Sequence, residues 1–113
     1  MKRGTIVLTP FPFTDLGGTK VRPAVVVSPS DRPGEDAILA FISSVSPLSL
    51  QPTDFPIDKS HPDFSHSGLK VASIVKCDKL ATIQRRIILG ELGALSPSLL
   101  LELNVRLRLA LGL

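Results

Sequence analysis

The sequence predicts a mainly β domain: a small, strongly curved antiparallel sheet or half-open barrel that carries one C-terminal α-helix. Three observations lead there. Ten prolines and eight glycines in 113 residues cut the chain into short elements, which is the punctuation of a β-rich fold. Between the breaks lie short runs rich in Val and Ile, residues that fit a pleated, half-buried surface. The stretch from Ser96 onward is leucine-rich and bracketed by helix start and stop signals. A chain of this length has room for one core only, so residues 1–113 read as a single domain.

The elements follow in order. Thr5-Ile6-Val7-Leu8-Thr9 is short, apolar and β-branched and predicts a first strand ending at Pro10. Val25 to Ser28 predicts a second, buried strand, closed by the turn-rich Pro29–Gly34. Asp36 to Val45 predicts a third. Thr53 to Asp58 alternates within a Pro/Ser/Asp-rich stretch and predicts an edge strand, where prolines are tolerated. Leu69–Val75 and Arg86–Gly90 predict two more strands, linked through Lys76–Ile83.

The C-terminus sets two rules against each other. From Leu99 to Leu113 every odd position is Leu or Val, the period of a strand. Against this, Ser96-Pro97 is an N-cap followed by a first-turn proline, and Gly112 suits a helix end. Glu102 and Arg106 stand four apart in the favourable order. The capping signals decide for a helix, one buried over most of its circumference. So leucine-rich a helix on so small a body asks for a further surface, and a homodimer is the economical expectation.

Composition narrows the function classes. With 43% hydrophobic and 20% charged residues the chain is globular and not disordered. A net charge of +3 and a pI near 9.4 suit a polyanionic partner without requiring one. Trp and Tyr are absent, so a stacking platform for bases would need Phe, His or Arg. The lone Cys77 rules out an internal disulfide and a cysteine zinc cluster, and reads as a small buried residue before a reactive thiol. No apolar stretch approaches the ~20 residues that span a bilayer, and Met1-Lys2-Arg3-Gly4 does not open a signal peptide. A cytoplasmic protein with no membrane partner is expected.

The most informative segment runs from Pro12 to Ser28. It joins a Gly-rich turn (Gly17-Gly18) to a β-branched strand and places Lys20 and Arg22 where the turn enters the strand. Alternation puts Lys20 and Arg22 on one face and Val21 on the other. Pro23 pushes Arg22 towards extended backbone, so the base of the guanidinium is held. A held Arg beside a flexible loop makes an anion site, because guanidinium matches phosphate oxygens two-pronged. The plainer alternative is a surface Arg ending a hairpin.

The order of segments resembles the PemK/MazF family of toxin endoribonucleases. The resemblance rests on Arg3-Gly4-Thr5-Ile6-Val7, on Phe13-Thr14-Asp15 before the Gly-rich loop, and on Lys20-Val21-Arg22-Pro23 entering a valine-rich strand. It continues through Phe41-Ile42-Ser43-Ser44, Ser67-Gly68-Leu69, Lys76–Ile83, Leu89-Gly90-Glu91-Leu92 and the terminal helix. The resemblance implies an SH3-like barrel with a C-terminal helix, forming a homodimer that cleaves single-stranded RNA at short motifs without metal or other cofactor. It also implies a cognate antitoxin as partner, and promoter DNA contacted through the antitoxin complex.

The same resemblance places Arg22 at the family's catalytic arginine and Ser43 where a threonine usually bonds the reacting phosphate. Ser43 keeps the hydroxyl but loses the β-branch that restricts its rotamer. Gly17 stands where some members carry an acid, and Ala81 and Gln84 replace other members of one version of the catalytic set. Asp15, His61 and His66 are therefore the candidates for acid–base work, imidazoles because they titrate near neutrality. Asp15 as a turn cap and the histidines as a solvated loop are the alternatives. Thr14, Gly17, Gly18, Lys20, Asp78 and Lys79 are the expected RNA contacts, with Lys76, Arg85 and Arg86 as further cations along the backbone path. No metal site is expected. The second functional reading is a catalytically impaired relative that acts as an antitoxin- or nucleic-acid-binding module.

Overall fold

The computed structural model describes residues 1–11, 20–44 and 49–113. Its centre is one antiparallel sheet of six strands in the spatial order β4-β5-β3-β2-β1-β6, curled into a half-barrel. The strands are β1 (Thr5–Phe11), β2 (Lys20–Val26), β3 (Asp36–Ser43), β4 (Asp54–Ile57), β5 (Ser73–Gln84) and β6 (Gly90–Ala94), followed by helix α1 (Pro97–Leu111).

The mainly β architecture with a terminal helix is as expected, but four boundaries differ. β1 runs on through Pro10 to Phe11. Its pairing with β6 stops at Leu8, so Pro10 lies where that side of the strand is an edge. β2 begins at Lys20 rather than Val25 and passes through Pro23, beyond the end of the β2–β3 ladder at Ala24–Phe41. The segment expected as a link, Lys76–Ile83, is the body of β5, which starts only at Ser73. The register on β3 jumps from Ala40↔Leu80 to Phe41↔Lys76. The bulge takes up Cys77, Asp78 and Lys79 and hides the alternation that would have marked the strand. Arg86–Gly90 is not a strand: Arg85–Ile87 form a 3₁₀ turn, and β6 is the sequence Gly-Glu-Leu-Gly-Ala, held in place by β1.

Both faces of the sheet are packed. One carries Ile6, Val25, Ile42, Phe55, Ile57 and Val75 beneath α1; the other carries Val7, Phe11, Ala24, Val26, Leu39 and Ile83. Phe11 and Phe41 meet there at a centroid distance of 5.2 Å. The two ends of the curl are joined by the β4–β5 connection, which docks on β6. A Cβ on Gly68 would lie 2.0 Å from the Leu92 carbonyl oxygen, and one on Gly93 would lie 2.3 Å from the His66 carbonyl oxygen. Only paired glycines let these backbones touch, and Gly68 also turns left-handed at φ 72°.

Helix α1 is capped as expected: the Ser96 hydroxyl accepts from the Leu99 N–H, and Gly112 is left-handed at the C-terminal end. Its expected burial over most of the circumference is corrected. Leu99, Leu103 and Leu107 are buried, whereas Leu101, Val105 and Leu109 are 69%, 52% and 55% exposed. Two positions on a helix are about 200° apart. An alternation of period two therefore wraps into two opposite stripes, and only one faces the sheet.

Candidate functional site

Along β2 the residues Lys20, Val21 and Arg22 are exposed, Pro23 is half-buried, and Ala24, Val25 and Val26 are buried. The outer half of one strand is surface and the inner half core. Arg22 lies opposite Thr9 of β1, and among the described residues its guanidinium makes only a long contact, 3.5 Å, to its own neighbour's carbonyl at Val21. Ala24 pairs with Phe41, so these two share a face. Two residues further along each strand, Arg22 and Ser43 fall on that same side. Lys20, opposite Phe11, belongs to it as well.

Where the β2–β3 ladder ends, a cleft of about 310 Å³ opens. Arg22 and Lys70 line it, together with apolar walls from Leu8, Pro23, Ile42, Leu69 and Leu92 and with Ser44 and Ser73. Ser44 alternates with Ser43 and so joins Ile42 on the cleft side of the sheet. Ser73 and Leu92 carried no signal of their own; their role depends on the loop that closes the curl.

The remaining candidates are placed as follows. Thr14, Asp15, Gly17 and Gly18 lie outside the described residues. Asp78 and Lys79 are exposed at the β5 bulge and do not line the Arg22 cleft. His61 is half-buried and its Nδ1 accepts the Asp63 N–H at 3.0 Å, closing a local turn. His66 is exposed in the 3₁₀ turn Phe64–Ser67, and neither imidazole lines the cleft. Asp63 ties this loop to the start of α1. Hydrogen bonding from Ser96 outweighs a desolvation penalty and, with Ser98 and the two histidines, holds its carboxyl below the ordinary value.

Three cations expected along an RNA path are committed elsewhere. Lys76 lies 2.7 Å from the buried Asp54 carboxylate. Arg85 donates to the Arg32 carbonyl at 3.3 Å, and Arg86 to the Gln84 side chain at 2.9 Å. Burial pushes Asp54 up, but the Lys76 ammonium, the Gln51 amide and the charge of Lys79 together bring it below the ordinary value. Cys77 is fully buried and burial pushes its thiol up to about 12, which keeps it protonated and unreactive at neutral pH. Among the described residues no group of three or more His, Cys, Asp or Glu side chains is arranged to hold a metal. No helix among them is long and apolar enough to cross a membrane.

Comparison with known proteins agrees with this architecture. Residues 2–111 match the model of a family described as PemK-like, MazF-like toxin of type II toxin–antitoxin systems. The fold is similar to an endoribonuclease from a mycobacterial species in complex with its cognate antitoxin, with a TM-score of 0.76 and 23% identity, covering 100% of this chain and 96% of that one. It is similar to the Mycobacterium tuberculosis toxin MazF-mt6, with a TM-score of 0.75, 21% identity and coverage of 96% and 97%. It is also similar to MazF from Deinococcus radiodurans, with a TM-score of 0.75, 20% identity and coverage of 100% and 97%. No curated protein matches the chain by sequence.

Proposed function

The chain belongs to the PemK-like, MazF-like family of type II toxin–antitoxin toxins, and from that premise we propose that it is a metal-independent endoribonuclease acting on single-stranded RNA, with Arg22 as its catalytic arginine. The observation that carries this reading is the exposure of Arg22 on β2, where it shares one side of the sheet with Ser43 and also reaches the lining of the cleft on the other side.

Cleavage by transesterification needs the 2′-OH proton removed, the phosphorane charge stabilised and the departing 5′-oxygen protonated. Arg22 supplies the second: a guanidinium holds its proton and matches two phosphate oxygens at once. Ser43 contributes a hydroxyl to the same phosphate. Lys20 extends the cationic strip, and Asp15, His61 and His66 are the acid–base candidates, with Thr14, Gly17, Gly18, Asp78 and Lys79 as RNA contacts. A cognate antitoxin, and promoter DNA reached through it, are the proposed regulatory partners. The exposed Leu101–Val105–Leu109 stripe supports a homodimer, since burying three large apolar side chains stabilises association. A cytoplasmic location is part of the same proposal.

The test is incubation of purified protein with mixed-sequence single-stranded RNA in EDTA. Fragments ending in 2′,3′-cyclic phosphate are expected. Intact RNA in the presence of folded protein would refute the ribonuclease reading and leave the impaired, binding-only relative.

A further inference from the structure

We propose that a second cleft, between the last turns of α1 and the sheet, binds a linear aliphatic carboxylate. The tail lies under the helix and the carboxylate is held between Arg3 and Arg108.

This cleft measures about 650 Å³, within the range of small-molecule sites. It shares no lining residue with the Arg22 cleft. Ile38 on its floor is five residues along β3 from Ser43, a separation of about 17 Å. The opening is made by the helix. Leu103, Leu107 and Leu111 follow one another at intervals of four on one stripe of α1. Leu103 is fully buried and Leu107 nearly so, yet Leu111 is 57% exposed. The stripe that holds α1 to the sheet therefore runs out over the cleft. Val27, Ile38 and Leu80, all half-buried, form the facing wall. Among the described residues no aromatic side chain lines the cleft, so its walls suit a flexible chain rather than a stacked ring.

The polar lining selects the charge. Arg3 and Arg108 line the cleft and, among the described residues, no Asp or Glu does. Neither arginine has a carboxylate within ion-pair distance among those residues. The Arg3 Nε donates to the Val27 carbonyl at 2.9 Å, which fixes the guanidinium and leaves its two terminal nitrogens for a ligand. Asn104 and Arg108, four apart, share the helix face with Leu107 and Leu111. The buried Ser28 Oγ accepts the Ile38 N–H at 3.1 Å, so its own hydrogen remains to donate. Two positive charges and two neutral donors thus converge on an aliphatic cleft. A helix C-terminus works against an anion. Here the Arg108 and Leu109 carbonyls are already bonded to the Gly112 and Leu113 N–H groups.

The test titrates purified protein with decanoate, octanoate and decanol, each below micelle-forming concentration, and follows methyl NMR signals. Decanoate is expected to shift Val27, Ile38, Leu80 and Leu107 and to leave Leu8, Ile42 and Leu69 of the Arg22 cleft in place. Octanoate should bind about fifteenfold more weakly, the effect of two buried methylenes. Decanol, with the same tail and no charge, should bind about tenfold more weakly than decanoate. Arg108→Gln should bring the two ligands level by weakening decanoate alone. Leu111→Trp, which closes the cleft from an exposed position, should weaken both, with urea denaturation confirming the fold. Absence of saturable binding overturns the site, as it would if a second copy of the chain covered the cleft. So does decanol that binds the native protein as tightly as decanoate, or decanoate affinity that Arg108→Gln leaves intact. Shifts confined to the Arg22 cleft, or both affinities retained by folded Leu111→Trp, overturn it as well.

Discussion

Two neighbouring rows of residues on one face of the sheet differ in almost everything but position. The inner row runs Val7, Ala24, Phe41, Lys76, Asp54, each paired with the next across β1, β2, β3, β5 and β4. Val7, Ala24 and Asp54 are buried, and its one cation is bound to its one anion at 2.7 Å. The outer row, two residues along each strand, holds Thr9 opposite Arg22, and Ser43 opposite Ile74, which faces Pro56. Here the cation is exposed, and the β2–β3 ladder has already ended. The same strands thus supply core in one row and the proposed site in the next. What separates them is where pairing stops and which cation has an internal partner.

That contrast is sharpest when broken from the inside. Lys76→Met should cost the most, about 4 kcal/mol, because it strands the buried Asp54 carboxylate without its counter-ion. Urea denaturation would measure it, and Asp54→Asn in the same background should recover part of the loss. Leu103→Ala on the buried stripe of α1 should cost about 3 kcal/mol, while Leu101→Ala on the exposed stripe should leave a dilute sample's stability within about 0.5 kcal/mol. Ser96→Ala removes the helix cap and should cost about 1 kcal/mol, read as a lower thermal midpoint.

The pH dependence has a definite sign. Asp54 is held below its ordinary 3.8 in the folded chain, so its contribution is present above that value and lost as pH falls through the folded pKa. Acid titration of stability should show a fall below about pH 4 that Asp54→Asn flattens. Cys77 acts at the other end. The folded thiol titrates near 12 against an ordinary 9.0, so the unfolded chain loses its proton first. Stability should decline as pH rises from 9.0 towards 12, and Cys77→Ala should remove that part of the decline.

How much of this was legible in the sequence varies by residue. The exposed position of Arg22 on a strand was, because a cation followed by proline at the head of a valine-rich run marks itself. The helix was, because Ser96-Pro97 and Gly112 are local signals that need no tertiary context. β5 was not. Its bulge shifts the register by extra residues on one strand, and alternation counted along the chain cannot see a change in pairing. β6 was invisible for the opposite reason, since Gly-Glu-Leu-Gly-Ala has no strand preference and is made a strand by its neighbour β1. Lys76 reads as a surface cation until Asp54 is brought across from β4. Leu92 lines the cleft beside Leu69 because Gly68 and Gly93 allow two backbones to meet.

The most direct measurement pairs stability and cleavage on a single preparation of Arg22→Ala. Arg22 is exposed and, among the described residues, its guanidinium makes no hydrogen bond beyond its own neighbour's carbonyl. Its loss should therefore shift unfolding by less than about 0.5 kcal/mol. The same change should slow RNA cleavage about a thousandfold, the effect of removing a group that stabilises transition-state charge. An intact fold with that loss is the result expected of an outer row built for chemistry. Undiminished cleavage by a fully folded Arg22→Ala protein would contradict it.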